Sequence, residues 1–141
     1  MSQENVDFVR GLFAGAVADV DKDELLAALP QLVENACDLE IEWIEDPSRA
    51  DARTYRGHEG VIKSWRQWLE NFDEYGSELE EVRDCGDRVL ATVSEEGRGA
   101  GSGATVSARN YIVMTFRDGK VLRYQEFYDQ RMALEAAGLT E

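Results

Sequence analysis

The chain has 141 residues and a formal net charge of −14, with 29 acidic side chains against 15 basic ones. That length suits a single domain, residues 1–141, with a core that needs no disulfide or metal staple. Its charge sets the surface against nucleic acid and anionic membrane, and no apolar run approaches the length that spans a bilayer.

In chain order, a first helix opens at Ser2, a candidate N-cap, and carries Val6, Val9, Phe13, Ala16 and Val17 at helical spacing. Gly11 and Gly15 weaken it slightly. The N-terminus has no basic segment followed by an apolar one, so no secretory signal is expected and the cytoplasm is the expected location. After a polar break at Asp19–Lys22, Asp23 is a candidate cap for a second helix through Leu29. Pro30 either kinks that helix or opens a further turn through Asn35. Asp38–Ile44 alternates, with Leu39, Ile41 and Trp43 on one face and Glu40 and Glu42 on the other, which predicts a half-buried strand.

A polar loop follows, to Tyr55-Arg56-Gly57. The third helix, from His58 to about Phe72, presents Val61, Ile62, Trp65, Trp68, Leu69 and Phe72 as a wide aromatic stripe that needs a large concave partner. Ser77–Asp84 and Asp87–Glu95 read as a hairpin around Cys85-Gly86-Asp87. A glycine-rich link, Gly97–Gly103, lacks the lysine and hydroxyl ending of a phosphate loop and reads as a hairpin connection. Two long strands then flank Arg117-Asp118-Gly119-Lys120, where Asp-Gly between alternating apolar runs is a strong turn signal. Residues 131–139 form a short terminal helix or turn. Helices first, then a strand, a helix and four successive strands is an α+β order, which disfavours nucleotide-binding crossover folds. Cys37 and Cys85 lack metal or redox spacing and read as free thiols.

Several stretches together resemble the SnoaL-like polyketide cyclase family of the nuclear-transport-factor-2-like superfamily. They are Ser2-Gln3-Glu4-Asn5-Val6, Leu39-Glu40-Ile41-Glu42-Trp43, Thr54 to Val61, Gly86-Asp87-Arg88-Val89, Phe116 to Val121, and Tyr128-Asp129 with Ala133 to Leu139. The resemblance covers nearly the whole chain and departs from the family in a longer segment at Pro30–Cys37. It implies a cone-shaped α+β barrel of the cystatin-like kind. In such a fold a strongly bent, mainly antiparallel sheet wraps the N-terminal helices around a deep pocket. It also implies a homodimer through the outer face of the sheet, and no cofactor or metal. Asp129 is the position that resembles the family's general base near the end of the last strand.

An Asp at the edge of an apolar cavity is a better base near neutral pH, because burial raises its pKa. The competing reading is that Asp129 caps the terminal helix, which would lower its pKa. Tyr111, Tyr128 and Tyr124 are candidate phenol donors to an enolate oxygen, as a tyrosine is in ketosteroid isomerase. Trp43 and Trp65 suit the wall of a flat, apolar, ring-containing ligand, and Tyr55, Arg109, Val113 and Phe127 complete the expected lining. Strand alternation puts Arg123, Gln125, Phe127 and Asp129 on one face, and Leu122, Tyr124, Glu126 and Tyr128 on the other. It does not say which face is inside. His58, the single histidine, lacks the partners of a nucleophile–base pair. Three functions stay open: a cofactor-independent cyclase, isomerase or hydrolase acting on a small apolar carbonyl compound; a non-catalytic binding module; and a dimeric scaffold with a filled core.

Overall fold

The computed structural model describes residues 2–13 and 21–139. Ala16, Val17, Gly15 and the start of the expected polar break at Asp19 lie outside them. The order is α1 (Ser2–Gly11), α2 (Lys22–Ala36), β1 (Cys37–Ile44), β2 (Thr54–Arg56), α3 (Gly57–Leu69), β3 (Phe72–Asp84), β4 (Arg88–Gly99), β5 (Thr105–Arg117), β6 (Lys120–Phe127) and α4 (Gln130–Ala136). The strands form one open six-stranded sheet in the order β2-β1-β6-β5-β4-β3. Neighbours are antiparallel except β1 and β6, which run parallel.

The hairpin at Asp118-Gly119 forms as expected, with both residues at positive φ (52° and 79°), the backbone a two-residue primed turn demands. Register shifts in β3, β6 and β1 bend the sheet. Its concave face carries the main core, with Val9, Leu29, Ile41, Val61, Val93, Ile112 and Met114 all buried. Helices α1, α2 and α3 fill that concavity. A second apolar cluster, Leu90, Val113, Phe127, Ala133 and Leu134, lies on the convex side, where α4 covers one end of the sheet. No described helix is long and apolar enough to cross a membrane.

Several boundaries differ from the sequence reading. Helix α2 continues through Pro30 to Ala36, so the segment Pro30–Cys37 is the end of a helix and the start of β1. Its apolar positions Leu25, Leu29, Val33 and Ala36 keep helical spacing and are buried, and that packing holds the helix across the proline. Its N-cap is Asp21, which makes no side-chain capping bond; Asp23 lies in the first turn. Leu39 is 79% exposed, because the register of β1 on β6 slips between Cys37 and Glu42 and leaves Cys37, Ile41 and Trp43 as the buried set. Phe72 opens β3 and does not end α3. The glycine-rich link is half strand: Gly97 and Gly99 pair with β3. Both cysteines are free, Cys37 buried and Cys85 half-buried. Burial pushes the Cys37 thiol up to about 11, so it stays protonated and inert.

Candidate functional site

A cavity of about 100 Å³ opens between the concave face of the sheet and helices α2 and α3, with Leu12 and Phe13, just after α1, also lining it. Helix α2 presents Leu29, Leu32, Val33 and Ala36 to it, and α3 presents Val61, Ser64, Trp65 and Trp68. The spacing of three and four places each set on one helical face. The sheet contributes every second residue: Tyr75 and Ser77 from β3, Val93 and Glu95 from β4, Ile112 and Met114 from β5, and Tyr124 and Glu126 from β6.

Aromatic rings form a continuous wall from sheet to helix. Trp43 and Tyr124 are directly opposed across the parallel β1–β6 ladder and stack at 3.6 Å, 6° from parallel. Trp65 meets Trp43 edge-on at 6.2 Å, and Tyr75 meets both Trp65 and Trp68 edge-on at 6.3 Å. Edge-to-face packing of this kind fixes ring orientation as well as burying area.

Two carboxylic acids stand in this apolar wall. Register explains their meeting. On β5, Asn110 lies opposite Val93 of β4, diagonal to Glu95, while Ile112 lies opposite Glu126 of β6. The Asn110 amide therefore sits between them and donates to Glu126 Oε2 at 3.1 Å. Glu95 accepts a short hydrogen bond from the Tyr75 hydroxyl. Both acids are half-buried: protein walls them on their strand sides and the cavity leaves them partly open. Burial disfavours the charged form, and the neighbouring Glu95 charge adds to it, so the Glu126 carboxyl is raised from 4.5 to about 8. Burial also raises Glu95, against the lowering effect of hydrogen bonds from Tyr75 and Asn110. Burial, with the nearby Glu126 and Glu95 charges, pushes the Tyr128 phenol up to about 12, so it stays a neutral donor. Asn110 is 2% exposed, and its Oδ1 is buried without a hydrogen-bond partner.

The mouth is held by Asp46, 2% exposed at the end of β1. Its carboxylate accepts from the Ser48 amide and hydroxyl and from the Tyr128 amide, which ties the loop after β1 to the end of β6. Burial opposes ionisation of Asp46, but those bonds and Arg49 outweigh it and hold its pKa below the usual range. This tie positions three groups at the rim: Glu45, Tyr128 (39% exposed), and Arg49, whose guanidinium covers the Trp68 ring at 5.7 Å and pairs with Glu45 at 3.3 Å. Among the described residues no three His, Cys, Asp or Glu side chains are close enough to hold a metal ion.

Of the residues singled out in the sequence, Trp43, Trp65 and Tyr128 line the cavity, as does Tyr124. The others are placed elsewhere. Asp129 is exposed and caps α4, accepting from the Arg131 and Met132 amides at 2.8 and 3.3 Å. Tyr111, Val113 and Phe127 belong to the convex cluster beneath α4. Arg109 is on the convex side, in a two-pronged bond to Glu80 at 2.7 and 3.2 Å. Tyr55 packs against the core but sends its hydroxyl to Gln67 at 2.8 Å. His58 Nε2 donates to the Cys37 carbonyl, 2.9 Å away, from the start of α3. The two acids of the site, Glu95 and Glu126, were not singled out from the sequence, nor were Glu45, Asp46, Arg49 and Asn110. In β4 a signal existed: Val89, Ala91 and Val93 are one buried face, and Glu95 continues it. In β6 both faces mix polar and aromatic residues, so Glu126 could be recognised only once the face was known.

In sequence the chain matches the SnoaL-like domain across residues 9–124. No curated protein matches it in sequence. Among solved structures it is similar to a protein from Jannaschia sp. CCS1, provisionally named a SnoaL-like polyketide cyclase. Identity is 20%, the TM-score is 0.72, and the match covers 99% of this chain and 95% of that one. It is also similar to TerC co-crystallised with polyporic acid (19% identity, TM-score 0.69, 96% and 98% covered). A third is an NTF2-like protein of unknown function from Burkholderia pseudomallei K96243 (17% identity, TM-score 0.69, 94% and 95% covered). At these identities the likeness is one of fold. The sequence match spans most of the chain, its helices and open bent sheet are arranged as in those structures, and the chain belongs to the SnoaL-like domain family.

Proposed function

We propose that the chain is a cofactor-independent enzyme of the cyclase or isomerase type, in which Glu126 removes a proton from carbon next to a carbonyl group. The observation that carries this reading is Glu126 itself: a carboxyl group in an aromatic cavity, with a pKa raised to about 8. A base whose pKa lies near the working pH combines availability with proton affinity. Tyr128, neutral and on the same strand face two residues on, is the donor suited to the developing enolate oxygen. The carboxylate expected at Asp129 is already spent on the backbone amides of Arg131 and Met132 and is not part of the cavity lining. The volume limits the substrate. An engineered cavity of about 150 Å³ is known to take benzene, so about 100 Å³ suits a single small ring or a short chain and excludes a steroid.

The test is exchange of the α-hydrogens of small cyclic ketones in heavy water, followed by proton NMR. Wild type accelerates exchange, the rate rises with pH through about 8 and then levels as Glu126 ionises, and Glu126→Gln lowers it by roughly 10²-fold or more. Ligand binding with no exchange at any pH favours the binding-module reading instead. A homodimer through the convex face of the sheet remains a proposal that rests on family resemblance. Sedimentation equilibrium decides it by returning one chain mass or two.

A further inference from the structure

The cavity has an imbalance that catalysis on a neutral carbonyl compound does not use. Its charged lining is mainly acidic. Among the described residues three carboxyl groups, Glu45, Glu95 and Glu126, line it, and Arg49 is the one cation. Arg49 is already engaged by Glu45, by Asp51 at 3.3 Å and by the Trp68 ring. Among the described residues no lysine or arginine forms an ion pair with Glu95 or Glu126. Asn110 uses its amide N–H toward Glu126, and its Oδ1 is left buried without a donor. A buried acceptor left empty is costly, and few are found in folded proteins. What is absent is a donor that carries positive charge.

The walls suit the same occupant. Trp43, Trp65 and Tyr75 present ring faces and edges around the acids. A cation over such faces is attracted by the ring quadrupole, and aromatic cages with carboxylates are how alkylammonium groups are recognised. The net charge of −14 adds long-range attraction for cations.

We propose that the ligand of this cavity carries a small organic ammonium group, its N–H on the Glu95 and Glu126 carboxylates, its alkyl carbons against Trp43, Trp65 and Tyr75. The inference rests on the reading that this cavity is the ligand site, though not on the reaction proposed for it. An amino-substituted carbonyl compound satisfies both.

The experiment compares two probes of one shape, tert-butylammonium and tert-butanol, with cyclohex-2-enone as a neutral carbonyl arm. Binding to the full chain is measured by calorimetry and tryptophan fluorescence at pH 9 in 0.2 M NaCl, which suppresses loose attraction to the acidic surface. Wild type is expected to bind the ammonium ion at least tenfold more tightly than the alcohol. Glu126→Gln and Glu95→Gln each erase most of that preference while leaving the weaker alcohol binding, which also reports that the cavity is intact. Equal affinity for the two probes, or an ammonium preference that survives both substitutions together, overturns the proposal. If cyclohex-2-enone binds and the ammonium ion does not, the proposal fails and the carbonyl reading stands. If the ammonium ion binds but no carbonyl compound exchanges, the proposal stands and the carbonyl reading fails. Absence of binding by all three overturns both.

Discussion

Glu126 and Asp129 lie three residues apart, and their carboxyl groups do opposite things. Asp129 sits two residues beyond the outward-facing Phe127, where it accepts two backbone N–H bonds and starts α4. Glu126 points into the cavity, where burial holds it protonated up to about pH 8. Two substitutions separate the roles. Asp129→Ala should lower stability by about 1 kcal/mol through the lost cap and leave α-hydrogen exchange unchanged, read by denaturant unfolding and the NMR assay. Glu126→Gln should do the reverse. Because the folded-state pKa is raised above 4.5, the folded protein holds a proton that the unfolded chain releases. Stability is therefore lost as pH rises from about 4.5 to about 8 and is constant above. One pKa unit is worth about 1.4 kcal/mol, so the loss attributable to Glu126 is at most about 5 kcal/mol. In Glu126→Gln that slope should flatten, and at pH 9 the variant should melt several degrees above wild type.

Among the elements, β3 and β4 show how a missing side chain shapes the site. A Cβ at Gly97 would stand 2.5 Å from Phe72 Cδ1 and 2.8 Å from Cε1, so glycine there lets the ring lie flat on the strand. Phe72 in turn packs on Trp68 at 5.1 Å and on Tyr75 at 5.5 Å, which steadies the phenol that holds Glu95. Gly97→Ala should cost about 1–3 kcal/mol by overpacking. Combining it with Phe72→Leu should cost less than the sum of the two singles, a coupling that a double-mutant cycle in urea would detect. Additive losses would mean that the strand simply moves aside. Helix α2 makes a related point. Pro30 interrupts its hydrogen bonding, yet the buried stripe on either side carries the helix on to Ala36, and Val33 and Ala36 reach the cavity because of it.

For the whole molecule, local pattern carried most of the fold. The aromatic stripe of α3, the Asp-Gly turn and the alternation of β4 and β5 each depend on neighbours close in sequence, and each formed as the spacing predicts. Non-local pairings stayed hidden. The parallel β1–β6 contact joins residues about eighty positions apart, and β2 is a three-residue edge strand that pairs with β1. The candidate site suffered most from this. A two-residue repeat defines two faces and is blind to which is concave, and in β6 both faces carry polar and aromatic groups. Phe127 therefore looked as good a wall as Tyr124, until α4 was seen to cover Phe127 and α3 and β1 to enclose Tyr124. The meeting of Glu95 with Glu126 around Asn110 spans three strands, and nothing short of the sheet register assembles it.

Glu95 and Glu126 share this cavity, and Glu126 holds its proton near neutral pH. Carbon-13 NMR of protein labelled at the glutamate carboxyl carbons, titrated from pH 4 to pH 10, tests it most directly. Because Glu95 and Glu126 interact, the resonances belong to the pair. A resonance with an apparent midpoint near 8 that vanishes in Glu126→Gln is the expected result. If no glutamate resonance has a midpoint near 8, the cavity carboxyls are solvated like any surface acid and Glu126 is not the base.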